Sequence, residues 1–75
     1  MGSKYPLLSA NEIIKALHKT GFEKVSQRGS HRKLKNSSTP TRTVIVPMYN
    51  EVARGTLRSI LEQAGTDLET FLDLL

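Results

Sequence analysis

Residues 27–35 read Gln-Arg-Gly-Ser-His-Arg-Lys-Leu-Lys, and they set one imidazole, His31, among the cations Arg28, Arg32, Lys33 and Lys35. A free imidazole titrates at about pH 6.5, so near neutrality such a group can both accept and release a proton. Neutral, it can take a proton from a hydroxyl such as a ribose 2′-OH; charged, it can protonate a departing oxygen. Transfers of this kind contribute roughly 100- to 10,000-fold in rate. Guanidinium and ammonium groups nearby stabilise negative charge developing on a phosphate. Gly29 carries no side chain, so the Gly29-Ser30 turn lets the backbone approach a phosphate closely. The chemistry this run can support is acid–base cleavage of a phosphodiester. The plain alternative is a polar histidine on a solvated hairpin, and the run alone leaves both open.

Other chemistries lack their groups. The chain has 75 residues, no cysteine and two histidines, so no thiolate can act as nucleophile or metal ligand. His18 and His31 fall on different elements with no Asp/Glu cluster beside either, so no metal-ligand spacing appears and no cofactor is expected. No acid lies between Glu23 and Glu51, which leaves nothing in the basic segment to orient His31 as a triad would require. No apolar run approaches the roughly 20 residues of a membrane span. Lack of cysteine is compatible with a reducing cytoplasm, the expected location.

Charge distribution points to a polyanionic partner. The net charge is +4, and the acid-free stretch holds Lys24, Arg28, Arg32, Lys33, Lys35 and Arg42. Five of the seven acids lie at or beyond residue 51, which leaves a basic middle and a more acidic C-terminal part.

The elements that must position these residues follow from local pattern. Ser9-Ala10-Asn11-Glu12 is a capping box. Ala10, Ile13, Ile14 and Leu17 then form one helical stripe, and Gly21 suits a left-handed end, so a helix is predicted from Ala10 to Thr20. His18 sits beside that stripe as a helix residue. Phe22–Arg28 and His31–Asn36 are predicted strands joined by the Gly29-Ser30 turn. A loop over 37–41 leads to Thr43-Val44-Ile45-Val46, β-branched throughout and ended by Pro47. Gly55-Thr56 opens a helix over 55–64 with the stripe Leu57, Ile60, Leu61 and Ala64, closed by Gly65. Thr66-Asp67-Leu68-Glu69 is predicted as a second capping box, starting a short last helix. One domain over residues 1–75 is expected, with 1–8 as a flexible leader. The pattern is α+β: a three-stranded antiparallel sheet with helices on one face. If Leu34 points to the helices, period-two alternation sends His31, Lys33 and Lys35 to water together.

These residues also carry a family resemblance. Gly21-Phe22, then Gly29-Ser30-His31, then Val44-Ile45-Val46-Pro47, then Gly55-Thr56-Leu57-Arg58-Ser59-Ile60-Leu61 and Gln63-Ala64-Gly65 resemble, in order and spacing, the HicA family of mRNA interferase toxins. The likeness covers nearly the whole chain from Ser9 to Leu75. It implies a fold like the double-stranded-RNA-binding domain, helix, three-stranded antiparallel sheet and helix, here with a short C-terminal helix. It implies metal-independent cleavage of mRNA with the histidine of the Gly-Ser-His motif, His31, as catalytic residue. It also implies a HicB-type antitoxin that covers the active face, so that the chain is monomeric when free and hetero-oligomeric with its partner. Family members often carry a second histidine shortly after the Val-Pro of strand three. Here Tyr49 follows Met48 at that place, with stacking on a base or hydrogen-bond donation open to it.

The leading expectation is thus an endoribonuclease toxin with His31 as general base or acid. Arg28, Gly29, Ser30, Arg32, Lys33, Lys35 and Arg42 are the candidate RNA contacts, the glycine and serine chiefly as shapers of the turn. The alternative is a non-catalytic RNA-binding module of the same fold. Such modules engage duplexes with cations at a helix start, where this chain offers Arg54 and Arg58.

Overall fold

The computed structural model describes residues 4–37 and 40–75. Met1–Ser3 of the expected leader, and Ser38 and Thr39 of the 37–41 loop, lie outside the described residues. Six elements run in the order α1 (Ala10–His18), β1 (Phe22–Arg28), β2 (His31–Asn36), β3 (Thr43–Pro47), α2 (Arg54–Ala64) and α3 (Leu68–Asp73). The sheet is antiparallel with β2 central, order β1-β2-β3. This is the α+β arrangement that the sequence pattern predicts, and it is consistent with the double-stranded-RNA-binding-domain-like fold that the family resemblance implies.

The capping box at Ser9 starts α1: the Ser9 N–H donates to Glu12 Oε1 (2.9 Å) and the Glu12 N–H to Ser9 Oγ (3.2 Å). The helix ends at His18, two residues before the predicted end. Its last turn tightens there, with the N–H groups of Lys19, Thr20 and Gly21 reaching back three residues to Ala16, Leu17 and His18. Gly21, at φ 92°, then swings the chain into β1. Helix α2 starts at Arg54, one residue before the expected Gly55, and Ala53 gives it no side-chain cap.

The start of α3 corrects the predicted second capping box. Its cap is Asp67 and not Thr66: Asp67 Oδ1 accepts the Thr70 N–H at 2.7 Å. The reason lies one helix earlier. The Thr66 N–H closes the end of α2 by donating to the Leu61 carbonyl (3.1 Å), across Gly65 at φ 70°. Thr66 is therefore consumed by the finishing helix, and the next residue begins the new one.

All three helices share one core with the sheet. Ile13 and Leu17 of α1, Leu57 and Ile60 of α2 and Phe71 of α3 close over Phe22, Leu34, Val44 and Val46, each at most 1% exposed. Each such aliphatic side chain contributes roughly 1.5–3 kcal/mol by leaving water. No polar or charged side chain is buried among the described residues. Within the expected leader, Tyr5 and Leu8 pack against this core, and Leu8 bridges Val52 antiparallel.

One irregularity sets the phase of the sheet. The β1–β2 register shifts between Lys24 and Ser26, so Val25 bulges out of the ladder without a cross-strand partner. Strict alternation from buried Phe22 would turn Arg28 toward the helices. The extra residue reverses the phase, and Arg28 comes to lie directly opposite His31.

Candidate active site

Leu34 fixes which way β2 faces. It is 0% exposed and pairs with Val44, so His31, Lys33 and Lys35 stand on the opposite, open face, and all three are exposed. Directly opposite residues of a ladder share a face. Arg28 and Pro47 therefore flank His31, Ser26 and Ile45 flank Lys33, and Glu23 and Thr43 flank Lys35. The open face brings Arg28, Lys33 and Lys35 together with His31, against a single acid, Glu23.

The turn that presents His31 is held from two sides. Gly29 has φ 58° and no non-glycine residue among those described has positive φ, so the first turn position alone is left-handed, as a two-residue hairpin of type II′ needs. A Cβ on Gly29 would meet nothing within 4 Å, so open space lies above the turn. Gln27 clasps it: its amide Nε2 donates to the Gly29 carbonyl (3.2 Å) while its Oε1 accepts from Arg32 Nε (2.9 Å). On the other side the Met48 N–H donates to the Ser30 carbonyl at 2.6 Å. Ser30 Oγ stands 3.5 Å from His31 Nδ1, a loose contact that leaves the ring free to meet a ligand.

Two of the candidate cations are set apart from His31. Arg32 lies on the helix-facing side of the sheet, opposite Gln27 and Val46, and is half-buried with its guanidinium on the Gln27 clasp. Arg42 precedes β3, whose other end holds Pro47 beside His31, about 16 Å away, five residues further along the strand. Its backbone N–H donates to Asn36 Oδ1 (2.7 Å). Its guanidinium lies over Gly65, where an added Cβ would fall 2.6 Å from Cζ and Nε. That puts a cation at the C-terminal end of α2, where the helix dipole favours one.

His18 takes no part in this site. Its Nδ1–H donates to the Phe22 carbonyl at 2.6 Å, tying the end of α1 to the start of β1. Phe22 and Arg28 are the two ends of β1, so the two imidazoles are about 20 Å apart along the strand. The cations that a duplex binder would use at the start of α2 already have partners: Arg54 Nε donates to the Tyr5 carbonyl (2.7 Å) and Arg58 Nε lies 3.7 Å from Glu62 Oε2. A groove lined by Glu12, Lys15, Ala16, Lys19, Leu74 and Leu75 lies on the helical side, whereas His31 is exposed on the open face of the sheet. Among the described residues no group of three His, Asp or Glu side chains stands together as a metal site would need, and no helix is long and apolar enough to cross a membrane.

Residue patterning missed three features of this region. Gln27 reads as a polar strand residue until Arg32 and Gly29 are seen to converge on it. Val25 and Ile45 are β-branched strand residues whose exposure no residue pattern signals: they are 52% and 39% exposed, Ile45 on the open face opposite Lys33. Gln63 reads as a helix surface residue, but its Oε1 accepts the Ile45 N–H (3.0 Å) and so covers the outer edge of β3.

No curated protein matches the chain at a significant level. The family model described as the HicA toxin of bacterial toxin–antitoxin systems matches residues 10–66, which run from the first residue of α1 to just past the glycine that closes α2. The match spans the sheet, the Gly29-Ser30-His31 turn and both long helices. This chain belongs to the HicA family, toxins of toxin–antitoxin pairs that are generally mRNA interferases.

Proposed function

We infer that the chain is an endoribonuclease that cleaves mRNA without a metal ion and thereby stops translation and growth. His31 is the proton-transfer residue. Its neutral ring takes the proton of a ribose 2′-OH as that oxygen attacks the adjacent phosphorus. The P–O5′ bond breaks, leaving a 2′,3′-cyclic phosphate on one fragment; the 5′ oxygen takes its proton from water and the His31 imidazolium returns the proton it accepted to water. Arg28, Lys33 and Lys35 hold the phosphate backbone across the open face and offset charge building on the phosphoryl oxygens. Gly29 and Ser30 keep the turn low enough for the strand to approach. Arg32 and Arg42 serve at the margins, the first through the clasp on the turn. A HicB-type antitoxin covers the same face when the chain is held inactive, and the chain acts as a monomer in the cytoplasm when free.

The observation that carries this reading is the Gly29-Ser30-His31 turn, intact in a member of this family and opening onto a cationic sheet face. The test is controlled expression of the chain with and without His31→Ala, following growth and message integrity, with circular dichroism to check the fold. His31 is exposed, so its removal is expected to change stability by less than about 0.5 kcal/mol. Wild type should arrest growth and degrade message, and His31→Ala should do neither. Equal RNA loss from both proteins would overturn the role of His31. RNA binding without cleavage by the wild type would favour the non-catalytic module. Cleavage undiminished in EDTA is expected for the metal-independent route.

A further inference from the structure

Of the four aromatic residues in the chain, Phe22 and Phe71 are in the core at 1% and 0% exposure, and Tyr5 packs half-buried against it. Tyr49 stands apart at 52% exposed. Its position is fixed on both sides by main-chain bonds. The Tyr49 N–H donates to the Pro47 carbonyl (2.9 Å), and the Tyr49 carbonyl accepts the Ala10 N–H (3.0 Å) at the first turn of α1. Met48, next to it, packs against the core and donates its N–H to Ser30, the residue before His31. An exposed ring is thus held on pinned backbone two residues beyond Pro47, the cross-strand partner of His31. The nearby open face adds Ile45, partly exposed, among the cations Arg28, Lys33 and Lys35.

An aromatic ring on a rigid backbone beside a cationic strand is the combination that captures single-stranded nucleic acid: the bases stack and the phosphates pair with the cations. We propose that Tyr49 is a stacking platform for one nucleobase, which holds the nucleotide next to the bond that His31 breaks. The ligand is an unpaired base, since a base already stacked inside a duplex has no free face to offer. The ring carries this role and the phenol hydroxyl does not. The placement beside the bond that His31 breaks rests on the endoribonuclease reading; the stacking itself requires binding alone.

The test therefore measures binding with cleavage removed. His31→Ala protein is titrated with a single-stranded RNA oligonucleotide in which one abasic nucleotide is moved along the strand, and affinity is read by fluorescence anisotropy. Stacking on a protein aromatic corresponds to roughly 5- to 150-fold in affinity per base. One abasic position should weaken binding by about 10-fold when Tyr49 is present. Adding Tyr49→Ala should weaken binding to the intact oligonucleotide by a similar factor and abolish further loss at that position. Tyr49→Phe should restore both the affinity and the dependence on the base. The proposal is overturned if Tyr49→Phe is as weak as Tyr49→Ala, or if the abasic and Tyr49→Ala losses simply multiply. Wild-type protein is assayed for cleavage of the same oligonucleotide in parallel. Absence of cleavage with the coupling intact would overturn the nuclease reading and uphold the platform.

Discussion

The division of the cations between the two faces of the sheet makes a quantitative prediction about salt. Arg28, Lys33 and Lys35 share the face of His31, whereas Arg32 lies on the helix-facing side and Arg42 lies over Gly65 at the end of α2. A protein that neutralises Z phosphates of a single strand loses affinity with salt along a slope of about −0.7Z on logarithmic axes. Three outer-face contacts therefore account for a slope of about −2. Raising salt fourfold, from about 50 to about 200 mM, should then weaken binding about 20-fold through these residues alone. Each of Arg28→Ala, Lys33→Ala and Lys35→Ala should flatten the slope by about 0.7. Arg32→Ala and Arg42→Ala should leave it unchanged, even where they lower stability. The assay is anisotropy of a labelled single-stranded RNA in the His31→Ala background at a series of potassium chloride concentrations. The reasoning fails if Arg32→Ala or Arg42→Ala flattens the slope as much as Lys33→Ala does, because the phosphate track would then run off the open face.

Two further predictions concern the frame that holds this face. Gly65→Ala forces a side chain into φ 70° and onto the Arg42 guanidinium; the left-handed conformation alone costs about 1–2 kcal/mol, a fall of roughly 5–15 °C in Tm for a domain of this size. Because the added Cβ meets Arg42, the penalty measured by urea unfolding should be smaller in an Arg42→Ala background, and equal penalties would refute the contact. The backbone and side chain of Thr70 donate to Asp67 and hold its carboxyl below the usual carboxylate range. A group with a lowered folded pKa adds stability above its unfolded pKa, about 3.9, and loses it as pH falls through the lower folded value. Unfolding followed from pH 6 to pH 2 should therefore show an acid-range loss in wild type that is reduced in Asp67→Asn, and parallel curves would count against the cap.

What could be read from the sequence was local in origin. The Ser9 box, the stripes of α1 and α2, the hairpin turn and the glycine after Ala64 each depend on residues within one or two turns of each other, and the structure reproduces them. The grouping of His31, Lys33 and Lys35 on one face was legible for the same reason, since Leu34 sets the parity of a single strand. What was not legible depends on a second element. The cap of α3 moved to Asp67 because the preceding helix uses the Thr66 N–H. Arg42 looked like one more cation of the basic middle until the chain brought Gly65 beneath it. The clasp at Gln27 needs the two sides of a hairpin in register, and the edge cover at Gln63 needs a helix and a strand that are 18 residues apart. The candidate site was half legible in consequence: its imidazole and central strand were, and the contributions of its neighbours were not.

The bulge at Val25 changes what kind of mutation this surface can withstand. A substitution at Val25 alters one exposed side chain and leaves the ladder as it is. Val25 has no cross-strand partner, so removing it leaves the six β1–β2 pairs, Arg28 with His31 among them, in register, whereas inserting a residue between Phe22 and Arg28 adds a second unpaired position and reverses the alternation again. The strand therefore has slack in one direction only: β1 should tolerate the loss of its unpaired residue far better than the gain of another.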